Sequence, residues 1–210
     1  MTEALVLVLA VLTVHNLGVE RLPPAYYVPA CLVTSAAVVG AASWGGAGFD
    51  QIGLSTAGLG LGLVIGGGVA VLVVLAGSVP ATRPLFADRR MAGVSSAGTA
   101  YRAVVRIPMG TVVLEEVAFR GVLLAELGVV ASSVLFGLWH VVPVRATLRT
   151  NGRATRPAVV ATAVAAMAVV GGGLCWLRLT AGGLAAPALV HGAATATATV
   201  VAHRVAGDGL

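Results

Sequence analysis

Reading hydrophobic windows and breaking them at Pro, Gly and Arg clusters yields seven long apolar runs, near 4–19, 25–43, 57–79, 107–127, 128–143, 157–177 and 183–202. The stretch 52–82 alone holds 31 consecutive residues without a charge. Runs of this length predict an all-α bundle of about seven transmembrane helices, with six to eight as the range. The 128–143 run is short for a crossing, which predicts a helix that is tilted, covered by its neighbours or joined tightly to the one before it. Gly58, Gly62 and Gly66 recur every fourth residue in the third run, the spacing that lets helix backbones approach closely in lipid, and Gly171 to Gly173 predict a loosened or kinked sixth span.

Composition agrees with this reading. Of 210 residues, 58% are hydrophobic and only 10% are charged, with a mean hydropathy of +0.98, whereas a soluble domain carries about 25% charged residues. A soluble globule is excluded, and seven spans leave no length for a second domain, so residues 1–210 read as one integral-membrane unit. The isoelectric point of 10.2 does not indicate nucleic acid, because the arginines punctuate apolar runs instead of forming a basic surface with polar or aromatic readers. All 13 basic residues are Arg. With seven spans, Arg21, Arg83, Arg89, Arg90, Arg102, Arg106, Arg145, Arg149, Arg153, Arg156 and Arg204 fall on one side and Arg178 alone on the other. The positive-inside rule then puts the N-terminus outside and the C-terminus in the cytoplasm. The Ala, Gly, Val and Arg bias with no Lys points to a bacterial plasma membrane. Cys31 and Cys175 sit in apolar runs without metal-ligand spacing and read as packing residues.

Ionisable groups within spans are expensive, about 2.5–3.5 kcal/mol each on insertion scales, so each needs a partner or a purpose. The fourth run contains Glu115, Glu116 and Arg120. Glu116 and Arg120 are an i,i+4 pair with the acid on the N-terminal side, and they neutralise each other. Glu115 projects about 100° away on the helix and has no such local partner, which makes it the candidate general base. Phe136 and His140 share a face of the fifth run, as do His191 and Thr195 of the seventh. Three helices therefore converge Glu115, His140 and His191 on one interior point. Counting 1.5 Å per residue from the span ends puts Glu115 about 12 Å, His140 about 5 Å and His191 about 18 Å from the cytoplasmic side. His15, Asn16, Glu126 and His203, near span ends, read as interfacial.

These pieces resemble the CPBP family of intramembrane proteases, the Abi-like CAAX-protease and bacteriocin-processing group that includes the type II CAAX prenyl endopeptidases. The family's EExxxR motif matches Glu115, Glu116 and Arg120, and its FxxxH motif matches Phe136 and His140. Its last motif, HxxxN or HxxxD, matches His191 but meets Thr195 where an amide or acid is expected. The resemblance implies peptide-bond hydrolysis in the membrane, on a peptide, a membrane protein or a CAAX-like tail. It assigns water activation to Glu115 with His140, oxyanion stabilisation to His191 and the residue at 195, and the holding of Glu116 to Arg120. A divalent metal such as zinc, if the mechanism uses one, would fall to Glu115, His140 and His191. The lack of any HExxH and the likeness to the CAAX branch favour a metal-free glutamate mechanism. Two other readings stay open: a non-catalytic membrane scaffold or immunity-type protein, suggested by Thr195, and a proton-coupled transporter, which the acid-free first three spans disfavour. Oligomeric state is not legible.

Overall fold

The computed structural model describes residues 2–207, and among these there is no strand. Eight helices account for the fold: α1 (Thr2–Gly18), α2 (Tyr27–Trp44), α3 (Leu59–Ser78), α4 (96–127), α5 (129–139), α6 (Val141–Thr150), α7 (Pro157–Ala181) and α8 (Ala185–Gly207). Four single helical segments are long and apolar enough to cross a membrane, namely Pro24–Trp44, Leu59–Ser78, Pro157–Ala181 and Ala185–Gly207. A fifth such stretch lies within Ser96–Thr150, and the apolar α1 is shorter.

The run Ser96–Thr150 folds back on itself at Gly128, whose φ of 78° and ψ of 178° suit glycine alone. The proof of the reversal lies in contacts across the break. Ser132 Oγ donates to the Phe119 carbonyl at 2.6 Å, and the Phe119 ring meets Phe136 and Trp139 edge-on at 5.2 and 5.6 Å. A continuous helix would hold Phe119 and Trp139 about 30 Å apart. The fifth span is thus joined to the fourth without a loop, and helix continues past its expected end at 143 through all of α6.

Boundaries elsewhere follow local chemistry. Pro157 opens α7 at its first turn and Gly182, at φ 76°, closes it. The sixth span is not kinked: α7 runs unbroken through its glycines. Gly171 instead makes room for a neighbour, since a Cβ there would lie 3.0 Å from the Phe136 ring. In α3 the glycine spacing does what it predicts. A Cβ on Gly62 would come within 2.7 Å of Ala186 Cα and one on Gly66 within 3.2 Å of the Leu189 carbonyl, so α3 and α8 pack backbone to backbone.

The innermost apolar cluster joins α1, α2, α4 and α5 through Val8, Leu12, Val38, Leu114, Phe119 and Phe136, among others. Side chains such as Val64, Leu72, Val130 and Val169 are exposed on the outside of the bundle, the inverse of a soluble protein's surface and the expected one for helices facing lipid chains. The protein is an integral-membrane helical bundle.

Candidate active site

The site is built on α4, whose winding departs from the ordinary α-helix. Over Arg102–Val112 and again over Glu116–Leu123 it makes the wider i→i+5 turns of a π-helix, a feature that recurs at functional positions. Pro108 lies within the first of these segments; it has no N–H and crowds the carbonyl four residues back, which opens the ladder. In the second, the hydroxyl of Ser132 takes the Phe119 carbonyl, and Gly121 lets the Ile52 backbone approach.

Glu116 and Arg120 pair as their spacing predicts, with Arg120 Nη1 3.3 Å from Glu116 Oε1 and Arg120 wholly buried. The guanidinium also lies 3.8 Å over the centre of the Phe136 ring, so the phenylalanine of the FxxxH pattern covers the cation. Glu116 Oε1 has a second partner: His191 Nδ1 lies 2.8 Å away. The His191 ring spans both glutamates, because its Nε2 faces Glu115 Oε2 at 3.8 Å.

His140 faces the same oxygen of Glu115, Nε2 to Oε2, at 3.9 Å. Its Nδ1 is 2.8 Å from the Phe136 carbonyl, and since a carbonyl only accepts, Nδ1 carries a proton and Nε2 is the nitrogen turned toward Glu115. The other carboxylate oxygen, Oε1, accepts from Trp139 Nε1 at 3.0 Å. Glu115 is therefore not wholly free, as helix geometry alone implies, but half engaged. Oε1 is tied down, while Oε2 is buried without a hydrogen bond between two imidazoles.

The structure thus brings Glu115, Glu116, Arg120, His140 and His191 together, with both imidazoles facing one oxygen of Glu115. Thr195 is the exception among the expected residues. It makes no hydrogen bond to the other five. It sits one turn along α8 from His191 and lines a cavity of about 610 Å³ that also touches Arg90, Arg102, Arg106 and Arg153. The Thr195 carbonyl accepts from Thr199 Oγ1 at 2.9 Å.

Among the described residues no group of three or more His, Cys, Asp or Glu side chains is set to hold a metal ion. Three of the six ring and carboxylate positions of Glu115, His140 and His191 are already committed, to Trp139, Phe136 and Glu116. The three atoms left over, Glu115 Oε2 and the Nε2 atoms of His140 and His191, are the ones that would hold a divalent metal if the mechanism used one.

Sequence reasoning missed three participants. Trp139 directly precedes His140, and a tryptophan within a span needs a partner for its N–H, which was the available signal. The other two are His15, buried and hydrogen-bonded to Thr34 Oγ1 at 2.8 Å, and Asn16, whose Nδ2 donates to the Trp139 carbonyl at 3.0 Å.

Residues 98–197 fit the family described as type II CAAX prenyl endopeptidase, Rce1-like, a stretch that contains all five clustered residues and Thr195. No curated protein and no solved structure matches the chain.

Proposed function

Because residues 98–197 fit the Rce1-like type II CAAX prenyl endopeptidase family, we propose that the chain is a glutamate-dependent intramembrane endopeptidase. One observation carries the reading: Glu115 Oε2 is buried, accepts no hydrogen bond, and faces His140 Nε2 and His191 Nε2 at 3.9 and 3.8 Å. Those separations exceed a hydrogen bond, which leaves this oxygen unengaged and open to act as the base.

In the proposed mechanism a water bound between Glu115 and His140 loses its proton to Glu115 as its oxygen attacks the scissile carbonyl carbon. The carbonyl oxygen becomes the oxyanion, which His191 steadies by donating from Nε2, with Thr195 as a second donor. For that task His191 carries protons on both nitrogens, and this cationic ring lies between the carboxylates of Glu115 and Glu116. Glu115 then returns the proton to the leaving amine, so the water is consumed as one new carboxyl and one new amino terminus. Arg120 offsets the charge of Glu116 and keeps it aimed at His191.

The substrate of this reading is a peptide or the tail of a membrane-associated protein, CAAX-like in the family sense. It enters from the Arg-rich face, where the cavity of about 610 Å³ reaches Thr195. In this reading that face is cytoplasmic and the N-terminus outside, in a bacterial plasma membrane, which the distribution of arginines supports.

The test compares new peptide termini in host membranes expressing wild type or Glu115→Gln at equal abundance. Termini present only with the wild type support the proposal and name the substrate. Identical sets, with both proteins inserted and folded, overturn it and favour a scaffold.

A further inference from the structure

The first helix lies outside the stretch that matches the family, yet a chain of short contacts runs from it to the carboxylate of Glu115. Its origin is a backbone defect. In a regular helix the Trp139 carbonyl would accept from the N–H of residue 143, but that residue is Pro143, which has none. Asn16 Nδ2 supplies the missing donor at 3.0 Å.

The neighbouring residue of α1 adds a second hold. The His15 ring stacks on the Trp139 indole, centroids 6.1 Å apart and planes within 14°. His15 is itself fixed from α2, by Thr34 Oγ1 at 2.8 Å and Cys31 Sγ at 3.8 Å. The indole then donates to Glu115 Oε1 at 3.0 Å. A cavity of about 210 Å³ flanks the indole, lined by Leu9, Leu12, Asn16, Phe119, Leu135 and Trp139 among others. Packing alone therefore leaves the ring room to turn, and the polar contacts lock it.

We propose that Asn16, backed by His15, is a positioning residue that acts through Trp139 to hold Glu115, which makes α1 part of the catalytic apparatus. The terminal torsion of a glutamate is soft. With Oε1 engaged by the indole, Oε2 is the oxygen left facing His140 and His191. Without that bond the carboxylate rotates and the water it must deprotonate loses its seat, an error of about 1 Å that costs on the order of 100-fold.

The inference rests on the hydrolytic reading of the site, and its test separates the two. Full-length wild type, Trp139→Phe, Asn16→Leu and the double variant are assayed in proteoliposomes on a synthetic peptide spanning the site cleaved in host membranes. Trp139→Phe keeps an aromatic ring and removes the donor; kcat falls about 10- to 100-fold with KM within twofold. Asn16→Leu lowers kcat in the same way, and the double variant is no slower than Trp139→Phe alone, because both act through one hydrogen bond. Wild-type kcat in Trp139→Phe, or full multiplication of the two effects, overturns the proposal while leaving the protease assignment intact.

The second measurement is independent of activity and covers a variant that fails to fold. In the wild type the Trp139 indole N–H resonance lies downfield, and Glu115→Gln moves it. An indole resonance that does not respond overturns the proposal. If wild type and Glu115→Gln cleave equally, the hydrolytic reading falls and the indole response alone decides whether the hold exists.

Discussion

His191 Nδ1 and Arg120 Nη1 converge on the same oxygen of Glu116, at 2.8 and 3.3 Å, so one carboxylate balances a wholly buried guanidinium and orients a ring on another helix. Arg120 makes no hydrogen bond with its three guanidinium nitrogens among the described residues. Its charge rests on Glu116 and on the face of Phe136. Glu116→Ala therefore leaves a buried cation without its counter-charge and destabilises the protein by about 3–5 kcal/mol. Thermal unfolding of purified protein in detergent measures this. Adding Arg120→Leu recovers part of the loss, since the double change buries no charge.

Thr195 tests the other end of the site. Its place one turn from His191, on the wall of the Arg-lined cavity, puts a short hydroxyl where the family carries an amide or acid. Thr195→Asn brings a longer donor toward the oxyanion and raises kcat, by up to about 100-fold if the donor reaches it. A single-turnover cleavage assay on the identified peptide checks this. An unchanged rate removes position 195 from the mechanism.

The backbone contact between α3 and α8 predicts a contrast between two neighbouring glycines. At Gly62 a methyl group would lie 2.7 Å from the Ala186 backbone, whereas at Gly60 nothing lies within 4 Å. Gly62→Ala forces the helices apart and costs about 1–3 kcal/mol. Gly60→Ala is neutral or slightly stabilising, from helix propensity alone. Unfolding midpoints of the two variants compared with the wild type read out the difference.

On the Arg-rich face, Asp88 pins two loops together. It accepts from Arg90 through several contacts and from Asn151 Nδ2 at 3.2 Å, while Arg89 N donates to Asn151 Oδ1 at 2.9 Å. Burial works against its charge, but the Arg90 side chain and backbone N–H, with Asn151, outweigh it and hold the carboxyl below the usual carboxylate range. A carboxyl depressed in the folded state stabilises above its unfolded value and loses that contribution as pH falls through the folded one. Hydrogen exchange at 88–91 and 147–152 stays constant from pH 8 to 5 once corrected for the intrinsic rate. It loosens below about pH 4. Asp88→Asn shows the loosened exchange at every pH.

Apolar run length was enough to define the bundle and a boundary between spans near 128, because transmembrane helices are specified locally by about 20 apolar residues, whereas α6 and the straight course of α7 were not legible. The unaffordable charges at Glu115, Glu116 and Arg120 and the two histidines likewise marked the site from the sequence, since each demanded a partner within hydrocarbon. What lay beyond it was which atom meets which. That Glu115 gives one oxygen to Trp139 and turns the other toward two imidazoles depends on where α5 and α8 come to rest against α4. That His15 and Asn16 serve the site depends on α1 docking more than 120 residues away in the chain. A residue at the end of an apolar run reads as interfacial until a helix from elsewhere covers it. Pairing within a helix follows from a period of 3.6 residues, but pairing between helices is decided only by their packing.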